Sequence, residues 1–158
     1  MNLFGTVQAV FCMTDGINHI LHKNNLDPFP KRVYLFTEPG GIFVFDALTE
    51  HYFADVISGN VFCQEFEDSC CIWSGAFSQK TGKCTYDITY FEEEEPAGLY
   101  RRYSDLVTEK VWPEKILFQS LADCGLELIS VFRNTNFSPR TDRDERRYYV
   151  CRRDFNKL

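Results

Sequence analysis

The sequence has little of what marks a membrane protein, a secreted protein or a nucleic-acid-binding protein. No apolar stretch approaches the ~18 residues that a membrane-spanning helix requires. The first residues, MNLFGTVQAVFCM, have no basic segment followed by an apolar run and a cleavage site, so no signal peptide is predicted. The formal net charge is −6, whereas binding to phosphate backbones depends on clustered Lys and Arg. We therefore expect a cytoplasmic protein with no membrane and no nucleic acid among its partners.

Cysteine is present, but not in the spacing of a metal site or a disulfide framework. The chain has 7 cysteines, an odd number, and only Cys70 and Cys71 are adjacent. No C-x-x-C pair occurs, and the 3 histidines also lack the spacing of metal ligands. The sequence therefore predicts reduced, mostly buried cysteines and no metal site.

The first third of the chain has the pattern of an α/β protein. Residues 5–13 and 42–46 are apolar runs, which are typical of strands buried in a parallel sheet. Between them, Asp27 and the prolines after it indicate the start of a helix, and Pro39 with two glycines indicates its stop. Strand, helix and strand in this order predict a parallel crossover connection.

The rest of the chain alternates polar and apolar residues, which is typical of an antiparallel sheet with one exposed face. A short helix is predicted at 50–58, followed by four strands at 61–67, 70–78, 83–92 and 99–111. A helix from Pro113 to Gly125 then precedes two C-terminal strands near 126–133 and 147–153. At 158 residues, with 44% apolar residues, the chain is predicted to form a single domain. Its core would comprise residues 1–58 and 112–158, with an inserted sheet at 59–111.

Two charged stretches are interpreted as surface. The EEEE run at 92–95 is predicted to be a solvated loop, and RTDRDERR is typical of a mixed-charge surface.

Five segments, which together span nearly the whole chain, share their pattern with a known family. They are VQAVFCMTDGINHI, KRVYLFTEPGGIFVFDALT, CCIWSGAFSQKTGKCTYDITYF, the stretch from GLYRRYSDLV to LELISVF, and RRYYVCRR. The resemblance is to the C-terminal portion of small bacterial class I S-adenosylmethionine-dependent methyltransferases. It implies a partial Rossmann-like sheet with an inserted antiparallel sheet. It also implies S-adenosylmethionine as the cofactor of the complete enzyme and methyl transfer to a small-molecule acceptor.

One departure from the family pattern limits what this chain is expected to do. The resembling enzymes hold the cofactor with a Gly-x-Gly loop in their first strand-helix unit, and no Gly-x-Gly occurs in these 158 residues. The chain opens at the strand that resembles the family's fourth, so about three units, or ~90 residues, are expected to be missing. We therefore expect a C-terminal fragment that binds the cofactor weakly or not at all and is inactive alone.

The resemblance also implies cofactor-binding residues in the turn after the first strand: Met13, Thr14, Asp15 and Asn18. The alternative is that Asp15 and Asn18 only cap this turn. His19 follows the turn directly, and its unperturbed pKa near neutrality makes it a weak candidate for proton transfer. The alternative for His19 is a structural or stacking role.

On the acceptor side, the resemblance implies a substrate-binding set of Asp46, Thr49, Trp73, Tyr100 and Arg102. Asp46 and Thr49 could instead cap the helix that starts near Glu50. The aromatic residues could belong to the core of the inserted sheet. Arg101 and Arg102 occupy consecutive strand positions, so at most one of them can face the acceptor.

Two other functions remain open. The first is a non-catalytic assembly module, because strand 5–13 would be an exposed, uncharged edge that recruits another chain, either a second copy or a separate N-terminal half. The second is an unrelated α+β domain that binds ligands in its antiparallel sheet. Adjacent parallel pairing of strands 5–13 and 42–46 would argue against this last possibility.

Overall fold

The structure is a computed structural model that describes residues 4–94 and 98–155. Its helices are α1 (Lys23–Leu26), α2 (Pro28–Phe36), a π-helix (Tyr52–Ile57) and α3 (Glu114–Cys124). Its strands are β1 (Val7–Cys12), β2 (Thr37–Leu48), β3 (Val61–Glu65), β4 (Ser69–Ser78), β5 (Lys83–Glu94), β6 (Leu99–Lys110), β7 (Leu126–Phe132) and β8 (Arg146–Arg153). The described residues thus form a mixed α/β fold with two four-stranded sheets. Among the described residues, no helix has both the length and the apolar character needed to cross a membrane.

The first sheet contains the parallel pair that the sequence predicts. Its strand order is β1-β2-β8-β7, and β1 lies parallel to β2, whereas β8 is antiparallel to both of its neighbours. The adjacent parallel pairing of β1 and β2 argues against the unrelated α+β domain. Because the carboxyl ends of β1 and β2 meet at the same edge, residues that follow β1 and residues at the end of β2 are brought together.

The Pro-Gly-Gly segment does not stop the helix, as the sequence suggested, but lies inside β2. Helix α2 ends at Phe36, and the hydroxyl of Thr37 donates a hydrogen bond of 2.7 Å to the Val33 carbonyl. The β1–β2 register then shifts between Val7 and Ala9, so residues 38–41 bulge. A Cβ on Gly41 would lie 2.9 Å from the Gln8 carbonyl oxygen, which explains the need for glycine there.

The second sheet is an antiparallel meander in the order β3-β4-β5-β6, as the alternating pattern predicts. The acidic run was assigned wrongly in part: Glu92 to Glu94 belong to β5 and pair with β6. Ion pairing between Glu94 and Arg101 stabilises this pairing at the end of the strands. The fourth residue of the run lies outside the described residues.

Two apolar clusters stabilise the fold. The larger one lies between the helices and the first sheet, where Phe43, Phe45 and Tyr149 stack in sequence. The smaller one lies between the π-helix and the second sheet and includes Phe53. Two cysteines, Cys84 and Cys151, are buried in these clusters, whereas four others are half-buried and one is exposed. The prediction of mostly buried cysteines was therefore wrong.

Candidate functional site

A cleft of about 320 Å³ lies where the carboxyl end of β2 and the turn after β1 meet the second sheet. We call it the junction cleft. Its apolar and aromatic walls come from Leu48, Tyr52, Cys71, Trp73, Tyr86, Ile88 and Val107, and its polar groups come from Asp15, Glu109 and Arg146. A concave, largely apolar cavity with a few convergent polar groups is the usual form of a small-molecule site.

An ion-pair network holds the turn after β1 against the end of β2. One guanidinium nitrogen of Arg146 binds the Asp46 carboxylate, and the other lies 2.9 Å from Asp15 Oδ1. The backbone N–H of Asp15 donates a hydrogen bond of 3.1 Å to Asp46. Although burial opposes the charged form, the bonds to Asp46 and Asp15 raise the pKa of Arg146 above its ordinary value. The Arg146 guanidinium is therefore charged at neutral pH.

The same network fixes a turn that the backbone would otherwise avoid. Thr14 and Asp15 have φ angles of 60° and 55°, in the left-handed region that costs energy for residues other than glycine. The Asn18 N–H closes the turn with a hydrogen bond of 2.8 Å to the Asp15 carbonyl. This geometry places the Asp15 side chain at the cleft.

A second polar pair lies beside this network. His19 Nε2 is 3.4 Å from Glu109 Oε1, and the His19 side chain is 49% exposed whereas that of Glu109 is 7% exposed. Burial raises the pKa of Glu109, the neighbouring Tyr86 and His19 oppose this shift, and Asp15 reinforces it. Glu109 Oε2 is buried and, within residues 4–94 and 98–155, accepts no hydrogen bond. The pair therefore joins a solvent-accessible imidazole to a desolvated carboxyl group.

The phenols of the cleft are held in their neutral form. Burial, together with the charge of Glu109, raises the pKa of both Tyr52 and Tyr86. At neutral pH these two side chains offer aromatic surface and a hydroxyl group, and they carry no charge.

Three side chains of the site could hold a cation. Asp15, His19 and Glu109 each offer one ligand atom, and these atoms all lie within 4.8 Å of one another. Two carboxylates and an imidazole at this separation suit a protonated amine as well as a divalent metal ion.

The residues expected in the cofactor turn differ in their exposure to solvent. Met13 and Thr14 are exposed on the turn, and the Thr14 hydroxyl donates to the Met13 carbonyl at 2.6 Å. Asn18 is 1% exposed and joins the two sheets. Its side-chain amide donates to the Leu48 and Lys110 carbonyls at 3.2 and 3.0 Å and accepts from the Leu48 N–H at 2.8 Å. The polar groups of Asn18 are thus used inside the protein.

The residues expected on the acceptor side do not lie together in the structure. Trp73 lines the junction cleft, and Asp46 lies behind it in the Arg146 network. The Thr49 hydroxyl donates to the Asp144 carbonyl at 2.5 Å and accepts from the Tyr52 N–H at 3.2 Å, which is a helix-capping role.

Tyr100 and Arg102 are not brought into the junction cleft. Both lie on β6, where side chains alternate between the faces of the sheet, so they face away from Glu109. Tyr100 instead lines a separate depression with Phe66 and Phe91.

Sequence reasoning missed Tyr52, Tyr86, Glu109 and Arg146, which the structure brings to the site. Arg146 belongs to the RTDRDERR stretch, and its interpretation as surface was wrong at this position, because strand β8 pairs Arg146 with Leu48 at the end of β2. One feature of the sequence could have identified Glu109. It is an acidic residue near the end of the alternating segment before Trp112, on the face of the strand that also carries the apolar Val107.

Comparison with known proteins supports the fold. No protein-family model matches this chain, and no curated protein matches it. Among solved structures, an S-adenosylmethionine-dependent methyltransferase from Clostridium acetobutylicum has a TM-score of 0.85 at 19% identity, and the match covers 98% of this chain and 61% of that one.

Two further solved structures are similar. A sugar N-methyltransferase from Streptoalloteichus sp. has a TM-score of 0.72 at 18% identity, covering 98% of this chain and 59% of that one. An amino pentose methyltransferase from Micromonospora echinaspora, solved with S-adenosylmethionine bound, has a TM-score of 0.69 at 15% identity. The match covers 97% of this chain and 61% of that one. The chain thus has a methyltransferase-like fold and spans about three fifths of the length of these proteins.

Proposed function

We propose that this chain is the acceptor-side part of an S-adenosylmethionine-dependent methyltransferase and that it holds a small amine in the junction cleft. The observation that carries the proposal is the His19–Glu109 pair beside an aromatic cleft, at the carboxyl ends of the parallel strands. In open α/β sheets this edge is where ligands bind. The fold shared with the three methyltransferases connects this edge with methyl transfer.

The chemistry of the cleft favours an amine acceptor. Its volume of about 320 Å³ suits a molecule of about the size of a monosaccharide. Asp15 and Glu109 attract a positive charge, and the aromatic faces of Tyr52, Trp73 and Tyr86 stabilise an adjacent cation. The two similar proteins that act on a sugar nitrogen and on an amino pentose are consistent with this class of acceptor.

The residues of the chain have separate roles in this proposal. When bound, S-adenosylmethionine would supply a methyl group on a positively charged sulfur. A nucleophile in line with the carbon–sulfur bond takes the methyl group, and S-adenosylhomocysteine leaves. An amine becomes a nucleophile only after it loses a proton, and the half-exposed imidazole of His19 accepts that proton. Because Nε2 faces Glu109, Nδ1 is the nitrogen left to take it, and Glu109 stabilises the imidazolium. Arg146 positions Asp15 beside the pair.

The turn after β1 offers few free polar groups to the cofactor. In this turn, the Asn18 amide is engaged inside the protein, and the Asp15 carboxylate is bound by Arg146 and faces the junction cleft. Met13 and Thr14 therefore offer one wall of a site. We propose that the remaining contacts come from residues other than these 158, and that the chain alone is inactive and binds the cofactor weakly or not at all. Calorimetric titration with S-adenosylhomocysteine tests this point, and micromolar binding would contradict it.

Amine binding is testable without the cofactor. The indole N–H signal of Trp73, assigned by comparison with Trp73→Phe, reports on the cleft in an NMR titration. Glucosamine should shift this signal in a saturable way, whereas glucose, which has the same size and no amine, should not. Glu109→Gln should weaken the glucosamine response at least tenfold. Equal responses to the two sugars would refute the amine specificity.

A second function is favoured by the position of β1. Among the described residues, β1 forms one edge of the first sheet, and its Phe11 is 67% exposed. We propose that this edge pairs with a strand of another chain, either a second copy or one that carries the cofactor-binding units. Light scattering of the purified chain tests self-association. Phe11→Lys should dissociate an oligomer, whereas Leu106→Lys, which changes an equally exposed residue on β6, should not. A monomer at high concentration would exclude the homo-oligomer.

A further inference from the structure

A cluster of two thiols and a carboxylate lies on the second sheet, on the face opposite the junction cleft. It consists of Cys63 and Glu65 on β3 and Cys70 on β4, and we call it the thiol cluster. Cys63 and Glu65 share a face because they are two residues apart on one strand. Glu65 is directly opposite Cys70 in the register of the two strands. The neighbouring Cys71 lines the junction cleft and so faces the other way.

The separations within the thiol cluster match those of a metal site. The Sγ atoms of Cys63 and Cys70 are 3.5 Å apart, and the ligand atoms of all three side chains lie within 4.8 Å of one another. Two sulfurs bound to one tetrahedral Zn²⁺ at ≈ 2.3 Å are about 3.8 Å apart. A disulfide requires a separation of about 2.05 Å. The observed spacing is therefore closer to that of two metal-bound thiolates.

We propose that the thiol cluster binds a zinc ion through Cys63, Cys70 and Glu65, with a water molecule in the fourth position. Two thiolates and a carboxylate are ligands that Zn²⁺ takes in proteins. Cys63 and Glu65 are exposed and Cys70 is half-buried, so the ion and its water have access from solvent. The metal ties β3, the edge strand of the sheet, to β4.

The ligand atoms of the cluster favour a cation. Two thiols and a carboxylate lie together with their ligand atoms within 4.8 Å of one another. A metal ion binds such groups as thiolates and carboxylate, and its positive charge offsets their negative charges.

Strand pairing creates this site, which explains why the sequence pattern did not predict it. The ligands follow a spacing of C-x-E-x₄-C, which is not that of a zinc finger or ribbon. They converge only because β3 and β4 pair in the observed register. The site lies on a different face from the junction cleft and does not depend on methyl transfer.

Cobalt titration of the purified full chain, kept reduced with a phosphine, tests the proposal. Co²⁺ should produce a thiolate-to-cobalt charge-transfer absorption at one ion per chain, and Zn²⁺ should displace it. Cys63→Ser and Cys70→Ser should each abolish this absorption, and Glu65→Gln should weaken binding at least tenfold. Cys71→Ser is the matched control, since it removes the adjacent thiol on the opposite face and should leave the absorption unchanged.

Thermal unfolding gives a second measurement. Zn²⁺ in excess should raise the melting temperature of the wild-type chain but not that of Cys63→Ser, because a ligand that binds only the folded state stabilises it. If either serine variant fails to fold, Glu65→Gln retains both thiols and still tests the site. The proposal is overturned if the reduced chain shows no charge-transfer absorption. It is also overturned if Cys71→Ser loses as much absorption as Cys70→Ser.

Discussion

Replacing Arg146 with methionine should destabilise the chain strongly, because it leaves a buried carboxylate without its partner. The Asp46 side chain is 2% exposed, and it is bound by the Arg146 guanidinium and by the Asp15 N–H. Methionine keeps much of the length and apolar character of the arginine stem but removes the charge and both bonds. Of the hydrogen bonds to Asp46 among the described residues, the one from the Asp15 N–H then remains.

The size of the effect follows from the burial of the pair. Removing one partner of a buried ion pair costs about 3–5 kcal/mol. Arg146 is 31% exposed, so water can reach the vacated position, and we expect the lower end of this range. A loss of ~3 kcal/mol corresponds to a fall of roughly 6–12 °C in melting temperature for a chain of this size. Urea unfolding measures the free energy directly and shows whether the m-value is unchanged.

A double-mutant cycle separates the lost pair from other effects. Asp46→Asn removes the charge that Arg146→Met leaves unpaired, so the double variant should lose clearly less stability than the sum of the two single variants. Arg102→Met is the matched control, since it makes the same change at an exposed strand position and should alter stability by no more than ~0.5 kcal/mol. If Arg146→Met behaves like this control, the network does not stabilise the site and the reasoning is wrong.

Three further changes test the rest of the site and its frame. Because folding raises the pKa of Glu109, its protonated carboxyl group contributes stability that is complete below the ordinary glutamate pKa of about 4.3 and is lost as pH rises through the raised value. Glu109→Gln should therefore become increasingly more stable than wild type when melting temperatures are measured at rising pH. An unchanged difference between pH 4 and pH 8 would contradict this. Asn18→Ala should cost about 2–4 kcal/mol in urea unfolding, because three backbone groups lose their buried partner, and a loss under 1 kcal/mol would show that water replaces it. Gly75→Ala should cost about 1–3 kcal/mol, since the new Cβ would lie 2.2 Å from a methyl carbon of Ile57, whereas Gly5→Ala, with open space around it, should be nearly neutral.

The predictable parts of the fold are those decided by neighbours along the chain. The apolar runs in β1 and β2, the alternation in β3 to β6 and the Pro113 and Gly125 boundaries of α3 all express local rules of periodicity and capping. The Pro-Gly-Gly segment misled this reasoning because its local meaning is a helix stop. Its position inside β2 depends on close contact with the Gln8 backbone, and a contact between residues so far apart in the chain cannot be predicted from local sequence.

The site itself was only partly predictable. Asp15, Asp46 and Trp73 were named from the sequence through a family resemblance, and His19 was named for its imidazole directly after the turn. The structure places all four at or directly beside the junction cleft. Their partners could not be named in the same way. Arg146 is 100 residues from Asp46 along the chain and Glu109 lies on another sheet, so only the folded topology brings them together.

The sequence alone therefore determined the kinds of element, their order and the edge of the sheet at which polar residues would gather, because periodicity and the ends of apolar runs are local properties. The tertiary structure decided which side chains face one another. It gave Asn18 a structural role between the two sheets, turned Tyr100 and Arg102 away from the cleft and placed Cys63 opposite Cys70. Those outcomes depend on strand register and on which face of a sheet is covered, and both are set by residues far apart in the chain.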